Sequence, residues 1–235
     1  MRRALLLAAL LVIAVPAPAG AATVGLMVVG KDRVLREAAP VKLKSRSLKV
    51  GGRRCAVGRA TPLSVLAGTR LRIRLQDYGS CGRSPRDAGA LYVSQVGPDR
   101  RGGPAGWVYK VGRRVGTTGA ADPSGPFGRG KLRRGARLLW FWCVQARGEA
   151  CQRTLEVSSA PVVAPGAMLA VTVRGYDDNG RGVPVAGATV RLGSATAVSD
   201  ANGVAQVAAP LSGSAKLTAE HEDMVRSWPR TVRVR

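Results

Sequence analysis

The sequence predicts a mainly β protein: a small β-rich α+β domain with one short helix and two disulfides, then a second, sandwich-like β domain. Three observations predict it. Short apolar runs recur with a period of two, which sends alternate side chains to opposite faces of a strand. Gly (30) and Pro (14) are frequent in the 235 residues and favour turns between short strands. Only one stretch carries both the start and the stop signals of a helix. Aromatic residues make up 4% of the chain, so its cores must be built mainly from Val, Leu and Ala.

Residues 1–21 read as a signal peptide. Arg2 and Arg3 precede an apolar run from Ala4 to Val15, and small residues at Ala-x-Ala spacing follow (Ala17-Pro18-Ala19 or Ala19-Gly20-Ala21). The run is too short to span a bilayer comfortably and no second run follows, so no transmembrane segment is expected after cleavage. An uncleaved anchor is the competing reading. The mature chain is expected to be secreted, extracellular or at the cell surface, where disulfides persist. The four cysteines allow three pairings. Cys55–Cys81 and Cys143–Cys151 close local loops and are the expected pair. No Cys-x-x-Cys occurs and the one histidine, His221, is remote from them, so no metal site and no cofactor are expected.

The first domain is assigned to 22–157. Val24–Val29 is a strand closed by Gly30-Lys31-Asp32. The basic stretch from Val41 to Arg54, with apolar Val41, Leu43, Leu48 and Val50, is a strand or an extended loop. Thr61 to Gly68 is the helix: Thr61 caps it, Pro62 takes the first position, and Gly68 supplies a left-handed exit. Leu71, Ile73 and Leu75 then alternate with Arg70, Arg72 and Arg74, a half-buried strand with three arginines in water. Leu91–Val93, Trp107–Gly112 and the apolar Leu138–Trp142 complete the domain. Residues 158–166 read as a linker because of Ala160-Pro161 and Pro165-Gly166. In 167–235, short strands at Met168–Arg174, Ala188–Leu192, Thr196–Val198, Val204–Val207, Ala215–Ala219 and Thr231–Val234 are separated by turns such as Asp178-Asn179-Gly180 and Ala201-Asn202-Gly203. Such spacing predicts a β-sandwich.

Charge divides the chain in the same place. The formal net charge is +23, and Ala22–Ser159 carries 27 basic and 8 acidic residues against 8 and 6 in Ala160–Arg235. The first domain should attract anionic partners such as a cell-surface polymer. Arg outnumbers Lys 30 to 7, which also fits the codon usage of a GC-rich genome. Nucleic acid is not expected as a partner, since export separates the chain from it and no aromatic stacking run is present.

Three stretches resemble a known family: Thr61-Pro62-Leu63-Ser64-Val65-Leu66, then Gly106-Trp107-Val108-Tyr109-Lys110-Val111, then Gly119-Ala120 leading to Leu132-Arg133-Arg134-Gly135-Ala136-Arg137-Leu138-Leu139-Trp140. In order and spacing they are similar to the transcobalamin C-terminal-like domain of exported bacterial proteins, over roughly residues 22–144. The resemblance implies a mostly β module with one short helix. In the vitamin B12 carriers the related domain closes on cobalamin against a helical barrel, which this chain lacks. Ala136 replaces the family's usual acidic residue and Gly112-Arg113-Arg114 its Asn-Gly turn; the cysteines look like additions. Residues from about Pro165 to Arg235 resemble bacterial Ig-like and carboxypeptidase regulatory-like modules, carried by Gly182-Val183-Pro184-Val185-Ala186-Gly187-Ala188-Thr189-Val190 and Ser199-Asp200-Ala201-Asn202-Gly203-Val204-Ala205. That resemblance implies an Ig-like β-sandwich acting as a spacer.

Candidate ligand-binding residues are Trp107 and Tyr109, which share a strand face and form either a stacking platform or core against Trp140 and Trp142. The Arg70, Arg72, Arg74 stripe and the run Arg129, Lys131, Arg133, Arg134 are candidate anion contacts; each also reads as a solvated surface. Asp177-Asp178-Asn179 lacks the remaining positions of a calcium loop. No nucleophile motif appears, Gly102-Gly103-Pro104 is no phosphate loop, and His221-Glu222-Asp223 reads as solvated. No catalytic residue is assigned. The expectation is an exported, non-enzymatic binding or cell-surface protein. A small-molecule (corrin-like) carrier and an atypical secreted hydrolase are the alternatives.

Overall fold

A computed structural model describes residues 21–144 and 150–235. The expected signal peptide lies outside the described residues except for Ala21. The fold is mainly β with one short α-helix, and both expected disulfides are formed: Cys55–Cys81 (Cα–Cα 5.3 Å) and Cys143–Cys151 (5.2 Å).

The first half contains β1 (Thr23–Val29), β2 (Val34–Lys42), β3 (Arg46–Val50), β4 (Arg53–Val57), α1 (Pro62–Leu66), β5 (Ile73–Asp77), a 3-10 turn at Pro85–Ala88, β6 (Leu91–Val96), β7 (Asp99–Arg100), β8 (Gly106–Val111), β9 (Arg114–Val115) and β10 (Arg137–Cys143). A five-stranded sheet runs in the order β2-β1-β10-β8-β9, with β1 parallel to β10 and its other pairs antiparallel. This sheet has no solvent face along its centre. Leu138, Trp140 and Trp142 join Val24, Leu26 and Val28 in the larger core, while Leu139, Phe141 and Cys143 join Met27 in a second cluster against Val225 and Trp228. Cover on both faces is why β10 reads as one unbroken apolar run rather than an alternating one. Gly25 lets the Trp228 ring approach closely, because an added Cβ would stand 3.0 Å from it.

Helix α1 covers the first face. Thr61 and Ser64 form a reciprocal capping box, and all five helix residues are buried. Its end differs from expectation. Ala67 closes the helix in the right-handed region, and Gly68 does not take a positive φ. Glycine is needed there for space instead: an added Cβ would lie 2.7 Å from Arg46 Nη2 and 2.9 Å from Val41 Cγ1. The β3–β4 hairpin turns through Gly51-Gly52, both with positive φ, as a two-residue primed turn requires. Strands β5, β6 and β7 form a separate three-stranded sheet whose inner residues Ile73, Leu75, Leu91 and Val93 pack on the same core.

The second half contains β11 (Thr154–Ser158), β12 (Val162–Val163), β13 (Met168–Tyr176), β14 (Gly182–Pro184), β15 (Thr189–Leu192), β16 (Ala195–Val198), β17 (Val204–Ala208), β18 (Gly213–Glu220) and β19 (Arg230–Val234). One sheet holds β11, β13, β14 and β17, and the other runs β12-β19-β18-β15-β16. Alternating residues of both sheets, among them Leu155, Val171, Val190, Val207 and Leu217, make a single core between them. The boundaries expected at 157 and 158–166 need correction. Residues 154–158 pair with β13, and Val162-Val163 pair with β19, so both segments are strands of the second half. Leu155 and Val157 alternate inward there, and the Pro residues only punctuate the crossing between its sheets.

The halves are joined by more than chain. Lys110 on β8 is fully buried, and its Nζ donates to Tyr176 O (3.0 Å), Asp177 O (2.9 Å) and Thr154 Oγ1 (3.3 Å), with Asp178 Oδ1 at 3.6 Å. Burial lowers the Lys110 pKa against the opposing pull of Asp178. Cys143–Cys151 bridges β10 to the residues leading into β11.

Candidate functional site

The strongest candidate is the outer face of the β5–β6–β7 sheet. On β5 the apolar residues point inward, so the pleat sends Arg74 and Gln76 outward; Arg72 just before the strand and Tyr78 just beyond it continue the same alternation of exposure. Arg70, Arg72 and Arg74 are exposed, and none takes part in an ion pair among the described residues. Tyr78 is 66% exposed, which is unusual for an aromatic ring and marks it as available. Tyr92 on β6 stands opposite Gln76 and meets Tyr78 edge to face at 6.2 Å. Arg101 closes the group, with its guanidinium 5.1 Å from the centre of the Tyr92 ring and its Nη1 donating to Tyr78 Oη at 3.2 Å. Partial burial raises the Tyr92 pKa, with Arg101 opposing, so the ring stays neutral at physiological pH.

The base of this face is held by Asp77. Its buried carboxylate accepts from Gly79 N and Cys81 N and pairs with Arg53 Nη2 at 3.2 Å. The hairpin arginine thus reaches the strand that carries the stripe, and the Cys55–Cys81 bridge fixes the same corner. The result is a segment, residues 70–78, on which exposed cationic and aromatic groups alternate with partly buried residues. It suits an extended anionic chain whose charges meet the guanidiniums and whose rings lie on tyrosine.

The other expected residues are placed elsewhere. Trp107 is 4% exposed and Tyr109 is 6% exposed. Trp107 pairs edge to face with Trp142 at 5.8 Å, and Tyr109 lies 5.4 Å from Trp140, each directly across the β8–β10 ladder. Trp107 Nε1 donates to Asp99 O, and Tyr109 Oη to Thr118 O at 2.8 Å. Their rings are core, and no open stacking platform forms there, because α1 and the β5–β7 sheet cover that face. Burial raises the Tyr109 pKa above its ordinary 10.0. Arg129, Lys131, Arg133 and Arg134 are exposed on the connection into β10, pinned by Leu132 N to Ala60 O and Gly135 N to Thr23 O. Ala60 precedes α1, whereas the stripe starts beyond its far end, and no hydrogen bond or ion pair among the described residues links the two groups.

Two further cavities lie between the halves. One, about 370 Å³, is lined by Arg113, Arg137, Arg174, Arg230, Tyr176 and Trp228 around Glu156. Glu156 already pairs with Arg113 (2.7 Å) and Arg137 (2.9 Å). The second, about 700 Å³, includes His221 with Lys31, Arg33 and Arg226. Asp177 and its neighbours form the β13–β14 turn: Asp177 Oδ1 accepts from Asn179 N and Arg181 N, bonds that hold its carboxyl below the usual range.

Sequence reasoning missed Tyr78, Tyr92 and Arg101. The signal for Tyr78 was present, since the period that exposes Arg70, Arg72 and Arg74 runs on unbroken to residue 78. Tyr92 and Arg101 carry no such signal, because only strand pairing brings them to the stripe. No protein-family model matches the chain, and neither a curated protein nor a solved structure matches it.

Proposed function

We propose that this is an exported, non-enzymatic binding protein that attaches to an anionic cell-surface polymer through the outer face of the β5–β7 sheet. One observation carries the reading: Arg70, Arg72 and Arg74, free of ion pairs among the described residues, stand in line with the exposed Tyr78 and its partner Tyr92. Export is supported by two formed disulfides, and no helix of the described residues is long and apolar enough to cross a membrane. In this reading the first half is a transcobalamin C-terminal-like module and the second an Ig-like spacer. The order of helix, Gly-Trp strand and late Trp strand supports the first, and the two packed sheets support the second.

The test is retention of the mature chain on an immobilised anionic cell-wall polymer, eluted with rising salt. Binding through three arginines should weaken steeply as charges are screened. The triple variant Arg70→Gln, Arg72→Gln, Arg74→Gln should elute at clearly lower salt than the parent. Retention that is absent, or that the triple variant leaves unchanged, rejects the proposal.

A further inference from the structure

A second basic site lies away from the stripe, where β2 runs into β3. Arg36, Lys42, Lys44 and Arg46 line a pocket of about 240 Å³ with Pro40, Val41 and Gly68, and no carboxylate is among its walls. None of the four cations takes part in an ion pair among the described residues. Arg36 and Arg46 are half-buried, and the Nε–H of each is sealed from solvent with no hydrogen-bond partner. A buried donor of this kind ordinarily finds an acceptor. Here both residues line one concavity, where two lysines add further charge.

The backbone is shaped to permit this. Gly68 leaves room for Arg46 Nη2, which occupies space that any side chain at 68 would contest. Arg46 therefore lies against the exit of α1 instead of extending into water. Lys42 is directly opposite Thr23 in the β1–β2 ladder, and Leu43 N donates to Ala22 O, so the strand end that carries Lys42 is fixed, and Lys44 follows it in the connection to β3. Four positive groups, from β2, β3 and the connection between them, line one space with no counter-charge among its walls, and it is large enough to admit a small anion.

We infer that this pocket is a binding site for a tetrahedral oxyanion, a phosphate or sulfate group, received by Arg36 and Arg46 and neutralised by Lys42 and Lys44. Guanidinium forks match such oxygens in geometry, and ammonium groups supply charge without a fixed direction. A single carboxylate would leave more of the cationic field uncompensated. The group is carried by a polymer or free in solution; the pocket recognises the same oxygens in both.

The experiment is calorimetric titration of the mature chain with inorganic phosphate and, separately, with sulfate, at constant ionic strength held with chloride. A poly(glycerol phosphate) arm distinguishes a polymer-borne group from a free one. Saturable one-site binding is expected for at least one oxyanion, with at least a tenfold loss in Arg36→Gln and in Arg46→Gln. Arg46→Lys, which keeps the charge but removes the Nε donor, should fall between Arg46→Gln and the parent. Circular dichroism of each variant checks that it is folded. The Arg70, Arg72, Arg74 triple variant should bind inorganic phosphate like the parent, so loss of this site is separable from loss of polymer retention. Phosphate and sulfate binding that is both unsaturable, or affinity unchanged in folded Arg36→Gln and Arg46→Gln, overturns the inference.

Discussion

The molecule contains two sets of cross-strand aromatic residues, and they have opposite fates. On β8 and β10, Trp107 faces Trp142 and Tyr109 faces Trp140, and all four rings are buried. At β5 and β6, Tyr78 meets Tyr92, and Tyr78 remains open. Both sets have rings in edge-to-face or tilted contact near 6 Å, which is what such neighbours prefer. The difference is cover. Helix α1 and the β5–β7 sheet close over the first set, whereas Arg101 leans on the Tyr92 ring of the second and Tyr78 stays exposed. Whether an aromatic pair is core or contact surface is decided by what packs above it, not by the strand that carries it.

That comparison can be broken most severely at Trp140. Trp140→Ala removes a 1%-exposed ring from the main core and should cost about 3–5 kcal/mol in denaturant unfolding. An effect below about 1 kcal/mol would mean that the buried set is not the core it is taken to be. Next in size is the bridge beside the exposed set. Replacing Cys55 and Cys81 with alanine opens a loop of sequence separation 26 and should cost about 3.5 kcal/mol on the chain-entropy account. The same change at Cys143 and Cys151, separation 8, should cost about 2.5 kcal/mol.

A smaller effect tests the hydroxyl of the buried set. Tyr109→Phe removes the bond to Thr118 O and should cost about 1 kcal/mol at neutral pH. It also carries a pH signature. The folded pKa of Tyr109 is raised by burial, so its contribution is complete below the ordinary value of 10.0 and is lost as pH rises through the folded value. Stability of the parent should therefore fall more steeply above pH 10 than that of Tyr109→Phe, as measured by urea midpoints. The smallest effect on stability belongs to the open ring. Tyr78→Ala should change the unfolding free energy by no more than about 0.5 kcal/mol. It should still reduce retention on the anionic polymer, and a large loss of stability would place Tyr78 in the core.

Much of this fold is legible in the residues, and the reasons are local. The helix is, because Thr61 and Pro62 act within one turn. So are β13 and β15 to β19 of the second half, where each alternating residue needs only its own sheet face. The disulfides follow from short loop closure. The segments 154–158 and 162–163 are not legible, because the first reads as the end of the first domain and the second as part of the linker 158–166 until β13 and β19 offer partners. The fate of Trp107 and Tyr109 is open for the same reason, since their cover comes from other elements, α1 and the β5–β7 sheet. The pocket at Arg36 and Arg46 needs the approach of Gly68 to the β3 strand, which no spacing in the sequence announces.

The central sheet has a mechanical consequence. Strand β10 contributes alternate side chains to two cores, the Lys110 ammonium is clasped by carbonyls of the opposite half, and a covalent sulfur link crosses the same junction. A pull on the C-terminal sheets would reach the arginine-bearing sheet through stiff struts, not through a slack tether. The two halves are thus coupled at the central sheet, and a single melting transition should report the loss of both.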